Sequence, residues 1–207
     1  MVTVSGITYN RSAACIILDT GNCFWLRTDD LNISGIYEGG SYEDDAFMQQ
    51  IRVLQYPRAL NTAVSMLARR ACSRKEILSR LIQRRYTEEV SELVVYKLEK
   101  ENLIDDKAFC EQWIRFRSSR GYGPTVIRQE LKMKGIPEEL ISQALDRVEP
   151  DEYRKNAVRM ARKAWSRIRK DEDIRKARQK VTAALVRKGY GWEEARSACD
   201  KAEKQME

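Results

Sequence analysis

The sequence predicts a mainly α-helical protein. Three tandem three-helix repeats of helix-turn-helix type follow a small N-terminal head that contains a β-hairpin. Three observations support this prediction. Apolar residues recur at helical spacing over most of the chain after residue 55. The same region matches itself at a shift of about 50 residues, which is typical of a tandem helical array. Short apolar runs flanked by turn residues predict strands near the N-terminus.

The head is predicted to span residues 1–55 and to begin with strands. Apolar runs at 13–18 and 23–26 flank the segment Asp19-Thr20-Gly21-Asn22, whose composition suits a tight turn. A third strand is expected near residues 2–9. Because two or three strands alone are only marginally stable, we expect this hairpin to pack against another element.

Two helices are predicted after the strands. The first begins at Thr28 and ends at Gly35, since glycine commonly terminates a helix. The second begins at Ser41, which has Asp44 three residues later, and runs towards Arg52. Pro57 is interpreted as the boundary between the head and the repeats.

The repeats are predicted from an alignment of the sequence with itself. Ile77 matches Ile127 at a shift of 50 and Val181 after a further shift of 54, and Leu81 matches Leu131 and Leu185 in the same way. We therefore predict repeats at residues 56–105, 106–150 and 151–207.

Helix ends within the repeats are predicted from capping residues. Ser73 and Glu76 form a capping-box pattern, and Thr87 is the expected cap of the next helix. Asp105 or Asp106 opens the second repeat. Further end signals are Pro124 and Pro137 in first turns, Gly135 and Gly189 after helix ends, and Trp192 at the start of the last helix.

Composition excludes several classes of function. The 207 residues include no histidine, so Ser-His-Asp triads, Cys-His pairs and histidine metal sites are excluded. There is no P-loop motif, and the five cysteines show no C-x-x-C spacing, so we expect them to be small buried residues in a reducing cytosol. No apolar stretch reaches about 18 residues, which predicts a cytoplasmic protein without membrane contact. We expect no enzyme activity, cofactor or metal.

Positive charge is concentrated after the head. The net charge is +7; residues 1–55 carry 3 Lys and Arg against 7 Asp and Glu, whereas residues 56–207 carry 35 against 24. A basic body suggests a polyanionic or acidic partner. Charge alone leaves solvated helix faces as an equally good interpretation.

Two local patterns leave alternatives open. Arg128, Gln129, Lys132 and Lys134 lie in one predicted helix and could read DNA bases, although such units are more often packing modules. Tyr122 lies in an Arg-Gly-Tyr-Gly-Pro loop that either exposes it or only joins two helices. The stripe of Phe109, Trp113 and Phe116 is predicted to be core rather than a stacking platform for bases.

At these residues the chain resembles the RecX family. The resemblance is carried by the segment LIDDKAF at 103–109, by Trp113 and Arg117, and by RGYGPTVIRQELKMKGI at 120–136. SRKEILSRL at 73–81 and the later residues 187–190 and 192–194 also agree. Arg85 departs from the family pattern, because many first repeats have glycine there.

The resemblance implies an elongated, curved array of three helical repeats without catalytic activity. It implies binding in the groove of a RecA recombinase filament on single-stranded DNA, where the family typically blocks strand exchange and ATP hydrolysis. Duplex DNA is a further possible partner of the basic faces, and we expect a monomer. The alternatives are a stand-alone helix-turn-helix DNA-binding protein and, less favoured, a nuclease.

Docking is assigned to exposed cations of the second and third repeats and to the loop tyrosine. These residues are Arg115, Arg117, Arg120, Tyr122, Arg128, Lys132, Lys134, Arg175, Arg178, Arg187 and Lys188.

Overall fold

A computed structural model of the chain describes residues 1–169 and 172–205. These residues form four strands and ten helices, which confirms a mainly helical protein with a strand-rich head. The chain divides into two compact units, Met1–Asp105 and Asp106–Glu207. The domain boundaries proposed from the sequence stay a prediction, and the last of those domains extends over residues 170–171 and 206–207, outside the described part of the chain.

The head contains a four-stranded antiparallel sheet of order β3-β2-β1-β4. The predicted hairpin and the additional N-terminal strand are confirmed, and Gly21 in the turn has a φ of 83°. The expectation that a helix begins at Ser41 is wrong: Ser41 pairs with Thr3 in a short edge strand. The strands are β1 Val2–Asn10, β2 Ala13–Leu18, β3 Cys23–Arg27 and β4 Ser41–Tyr42.

Helix α1, Thr28–Ser34, ends as predicted at Gly35, whose φ of 68° lies in the left-handed region. Helix α2, Asp44–Leu67, contains Pro57 in its interior, so the expectation that this helix ends near Arg52 is wrong. The boundary placed at Pro57 between the head and the repeats stays a prediction. Proline cannot donate a backbone hydrogen bond, and an interior position normally weakens a helix.

Packing on both sides of Pro57 explains why α2 continues. The first half of α2 buries Phe47 and Ile51 against the sheet, whereas the second half buries Ala59 and Ala63 in the core of the first repeat. Because most helix stability in proteins comes from such tertiary packing, the two cores hold one continuous helix across a local defect.

Two further helices complete the first unit, α3 Arg74–Gln83 and α4 Glu88–Lys100. The capping box of Ser73 and Glu76 is present in full, and the Thr87 side chain accepts a hydrogen bond from the backbone of Val90. Both predicted caps are confirmed.

The described part of the second unit consists of six helices. Pro124 occupies the first turn of its helix and Trp192 opens the last one, as predicted. Pro137 lies one residue earlier than expected, at the N-cap. The helices are α5 Asp106–Ser119, α6 Pro124–Met133, α7 Glu138–Asp146, α8 Pro150–Trp165, α9 Ile174–Arg187 and α10 Trp192–Glu203.

The three repeats share one helix-ending pattern. The middle helix of each, α3, α6 or α9, has a cation at its C-cap, and the next residue has a positive φ. The pairs are Arg84 with Arg85 (φ 72°), Lys134 with Gly135 (80°) and Lys188 with Gly189 (92°). The predicted glycine ends are thus confirmed, and Arg85 adopts the left-handed conformation that glycine normally supplies.

Two burial expectations need correction. Phe109 is buried, but Phe116 at the other end of its stripe is 41% exposed, because the helix turns that position away from the core. Four cysteines are buried, whereas Cys23 is exposed. Among the described residues, no helix is long and apolar enough to cross a membrane.

Candidate partner-binding surface

Helices α5 and α6 hold an aromatic–cation cluster. It consists of Trp113, Arg117, Tyr122, Glu130, Lys134 and Lys188. Glu130 lies at its centre. One of its carboxylate oxygens accepts hydrogen bonds from the indole nitrogen of Trp113, at 3.0 Å, and from Nε of Arg117, at 2.7 Å. The second oxygen accepts from the other end of the same guanidinium, so the ion pair is bidentate.

Cations contact both aromatic rings of the cluster. The guanidinium carbon of Arg117 lies 3.5 Å from the centroid of the Tyr122 ring, and the ammonium of Lys188 lies 4.3 Å from the same point. The ammonium of Lys134 lies 4.1 Å from the Trp113 ring. Such distances are favourable for cation–π attraction. The rings therefore position cations and are not open stacking platforms for bases.

Helical spacing places these side chains together. Trp113 and Arg117 are four residues apart on α5, and Glu130 and Lys134 are four residues apart at the end of α6, so each pair shares a helix face. Arg115, two residues before Arg117, points about 160° around the helix from it. The structure therefore does not bring Arg115 into the cluster.

The glycine-rich loop before α6 connects the second repeat to the third. The backbone nitrogen of Gly123 donates to the carbonyl oxygen of Lys188 at 2.8 Å, and that of Thr125 donates to Gly189 at 3.2 Å. A Cβ atom on Gly123 would lie 2.5 Å from the carbonyl carbon of Gly189. The loop thus does more than join two helices, because it also holds Lys188 beside Tyr122.

Four of the predicted docking cations are paired with carboxylates. Arg117 is only 15% exposed and pairs with Glu130, so the expectation that it is an exposed cation is wrong. Arg128 and Lys132 share Glu138, and the hydrogen bond from Lys132 is the main cause that lowers the pKa of that carboxyl. Arg178 pairs with Glu203 at 2.9 Å.

The other predicted cations have different environments. Arg120 is exposed, and its guanidinium lies 4.2 Å from the ring of Phe116. Arg115, Arg175 and Arg187 are exposed, and within the described residues no carboxylate lies at ion-pair distance from them. Arg175 is about 18 Å along α9 from Arg187, so these two cations belong to separate parts of the surface.

Trp113 and Glu130 are members of the cluster that the sequence did not reveal. The spacing of Trp113 predicts a core residue, and Glu130 is the one acidic residue of a helix that otherwise carries basic charges. The four-residue spacing of Trp113 and Arg117, and of Glu130 and Lys134, predicts that each pair lies on one face of its helix. It does not predict that these two faces contact each other. No group of three or more Cys, Asp or Glu placed to hold a metal ion occurs among the described residues.

Three protein-family models match the chain in succession. The first three-helix domain of RecX matches residues 59–98, the second matches residues 105–145 and the third matches residues 151–199.

Curated relatives and solved structures agree with these matches. The regulatory protein RecX of Mycolicibacterium smegmatis is 35% identical over 64% of this chain and 73% of its own length. The regulatory protein RecX of Actinobacillus pleuropneumoniae is 30% identical over 64% of this chain and 84% of its own. A crystal structure of a regulatory protein RecX superposes with a TM-score of 0.65 at 24% identity, covering 99% of this chain and 100% of that one. RecX from Lactobacillus salivarius superposes with a TM-score of 0.64 at 23% identity, covering 72% and 97%.

The two solved structures, both under 25% identical to this chain, support the fold alone. The matched family domains and the sequence relatives show common ancestry. The chain therefore belongs to the RecX family of regulatory proteins.

Proposed function

We propose that this protein regulates a RecA recombinase in DNA repair and recombination. It binds the recombinase filament on single-stranded DNA and inhibits ATP hydrolysis and strand exchange. The observation that carries the proposal is the match of all three RecX helical domains, in order, along one chain. We further propose that it acts in the cytoplasm as a monomer, without catalysis and without a cofactor.

The charge distribution supports a polyanionic target. Arg120, Arg175 and Arg187 are exposed and free of carboxylate partners among the described residues, so each can approach a phosphate or an acidic protein surface without first breaking an ion pair. Contacts that are weak singly add up when they lie on one scaffold and engage one filament.

The alternative is a stand-alone DNA-binding protein that uses α6 as a recognition helix. Base recognition needs outward side chains with free donors. Arg128 and Lys132, the two outward cations of α6, are both engaged by Glu138. This pairing favours the filament regulator, because base contacts by α6 would first have to release these ion pairs.

ATP hydrolysis by a preformed RecA filament tests the proposal. The protein is added well below the concentration of recombinase, and excess free single-stranded DNA controls for simple competition. We expect strong loss of hydrolysis that persists in the control. Unchanged hydrolysis combined with tight, sequence-selective binding to naked duplex would contradict the proposal and support the DNA-binding alternative.

A charge-reversal variant tests the docking residues. The variant carries Arg120→Glu, Arg175→Glu and Arg187→Glu. A matched control reverses three exposed cations of α8 and the turn after it, Lys155→Glu, Lys163→Glu and Arg167→Glu. If each arginine meets one phosphate of single-stranded DNA, the salt dependence of filament binding falls by about 0.7 log unit per residue. Equal inhibition by the two variants would exclude these three arginines from docking.

A further inference from the structure

A polar groove lies in the first unit, between the second half of α2 and the C-terminal end of α3. Its volume is about 270 Å³, and it is lined by Asn61, Thr62, Ser65, Met66, Arg69 and Arg84. All charged residues that line it are arginines. The predicted docking residues lie in the second and third repeats, so this groove belongs to no predicted site.

The hydrogen-bonding groups of the groove are available to a ligand. The side chains of Asn61, Ser65, Arg69 and Arg84 have neither a hydrogen bond nor an ion pair with another described residue, and all four are exposed. Of the lining polar groups, the Thr62 hydroxyl has a partner, the hydroxyl of Tyr86 at 3.3 Å.

Two carboxylates close to the start of α3, the end opposite to the groove, are engaged by other arginines. Glu76 accepts hydrogen bonds from Arg70 and from the backbone of Ser73. Glu92 pairs with Arg74 at 2.5 Å. Within the described residues, neither Arg69 nor Arg84 forms an ion pair, which is the reverse of the arrangement at Arg128 and Arg178.

This donor set has the chemistry of a phosphate site. Two guanidinium groups offer planar, multiple donors to phosphate oxygens, and an amide and a hydroxyl add two further donors. The volume is below the usual range of about 300–1,000 Å³ for drug-sized ligands, so the groove suits a small group such as one phosphate.

The position of Arg84 repeats along the chain. Arg84, Lys134 and Lys188 are the C-cap residues of the three middle helices. A cation there also interacts favourably with the helix dipole, which alone accounts for its charge but not for the second arginine or the polar lining. The left-handed Arg85 that follows is a strained position of the kind that accumulates at functional sites.

We propose that the groove of Asn61, Ser65, Arg69 and Arg84 binds a backbone phosphate of single-stranded nucleic acid. It gives the first repeat a contact of its own with the polyanion. The proposal rests on the proposed function only in naming nucleic acid as that polyanion.

The test measures binding of a fluorescent oligothymidine to the full chain alone, by anisotropy, over a series of chloride concentrations. The variants are Arg69→Ala and Arg84→Ala, with Arg84→Lys as a charge-preserving variant. Arg11→Ala is the matched control, since Arg11 is an exposed arginine in the same unit without a partner among the described residues. Circular dichroism establishes that each variant is folded.

We expect each alanine variant of the groove to reduce the salt slope by about 0.7, which is the value for one phosphate contact on single strands. With that smaller slope, raising the salt concentration from 50 to 200 mM weakens binding of the variant about 2.6-fold less than binding of the wild type. Arg84→Lys should keep the slope with weaker binding, and Arg11→Ala should match the wild type. Equal slopes in the wild type and both groove alanine variants would overturn the proposal.

A second arm separates nucleic acid from free phosphate. Chloride is replaced by inorganic phosphate at constant ionic strength, and we expect oligothymidine affinity to fall more in the wild type than in Arg84→Ala, because the groove holds one phosphate at a time. Selective loss of affinity in the wild type, absent in Arg84→Ala, would show that phosphate and the oligonucleotide compete for the groove and would support the proposal. Equal oligothymidine affinities of the wild type and Arg84→Ala in chloride, with inorganic phosphate raising Tm of the wild type alone, would assign the groove to free phosphate and overturn the proposal. Because no recombinase is present, either result is independent of the filament assay.

Discussion

Gly123→Ala, the addition of one methyl group, is predicted to destabilise the second unit strongly. The new Cβ would lie 2.5 Å from the carbonyl carbon of Gly189 and 2.7 Å from the backbone nitrogen of Tyr190, and backbone atoms cannot rotate away as a side chain can. The loop must therefore separate from the third repeat, which breaks the hydrogen bonds from Gly123 to Lys188 and from Thr125 to Gly189.

The two hydrogen bonds contribute about 1 kcal/mol each, so the expected loss is about 2 kcal/mol before any packing is counted. For a unit of about 100 residues, this lowers Tm by about 8–16 °C. Thermal and urea unfolding followed by circular dichroism measure the loss, and amide hydrogen exchange locates it at the start of α6 and the end of α9.

Gly191→Ala is the matched control. A Cβ at Gly191 meets no atom within 4 Å, and its φ of −61° suits alanine, so only the N-cap preference of α10 is lost. That cost is below about 1 kcal/mol. If Gly123→Ala and Gly191→Ala had the same Tm, the close approach of the two repeats would not exist in solution and the reasoning would be refuted.

Two further predictions concern buried groups. Glu130→Gln should lower the free energy of unfolding by about 2 kcal/mol in a urea titration, because it leaves the largely buried Arg117 without its countercharge; an unchanged midpoint would mean that the pair does not stabilise the fold. Burial raises the pKa of Cys110 to about 11, so its thiolate is scarce at pH 8, whereas Cys23 is exposed. A disulfide reagent should therefore modify Cys23 first, and early modification of Cys110, mapped by mass spectrometry, would contradict its burial.

Local capping chemistry made many helix ends predictable. Ser73 and Glu76 hydrogen-bond to each other's backbone within four residues of chain. Because the whole motif is local, the local sequence is enough to predict it. The same holds for Pro124 in a first turn and for Gly35 after a last one. The repeat matches were also visible, because each repeat buries the same positions of its own helices.

Other features depend on residues far apart in sequence. Pro57 carries a strong local signal for a boundary, yet the cores on either side of it hold one helix, α2, over 24 residues. Phe116 has the spacing of a core residue but lies at the edge of the core, next to Arg120. Spacing establishes which residues share a face but not how wide the buried part of that face is.

The amino-acid sequence by itself determined the repeat architecture, most helix ends, the basic character of the body and the resemblance to RecX. Only the tertiary structure decided which cations are available to a partner. Arg117 lies in the last turn of α5, and Arg120 is the first residue after this helix. Both are arginines, but different residues surround them. Glu130 on α6 neutralises Arg117, and Phe116 leaves Arg120 exposed. Charge is a property of the residue, whereas its availability depends on which carboxylates the fold brings within ion-pair distance.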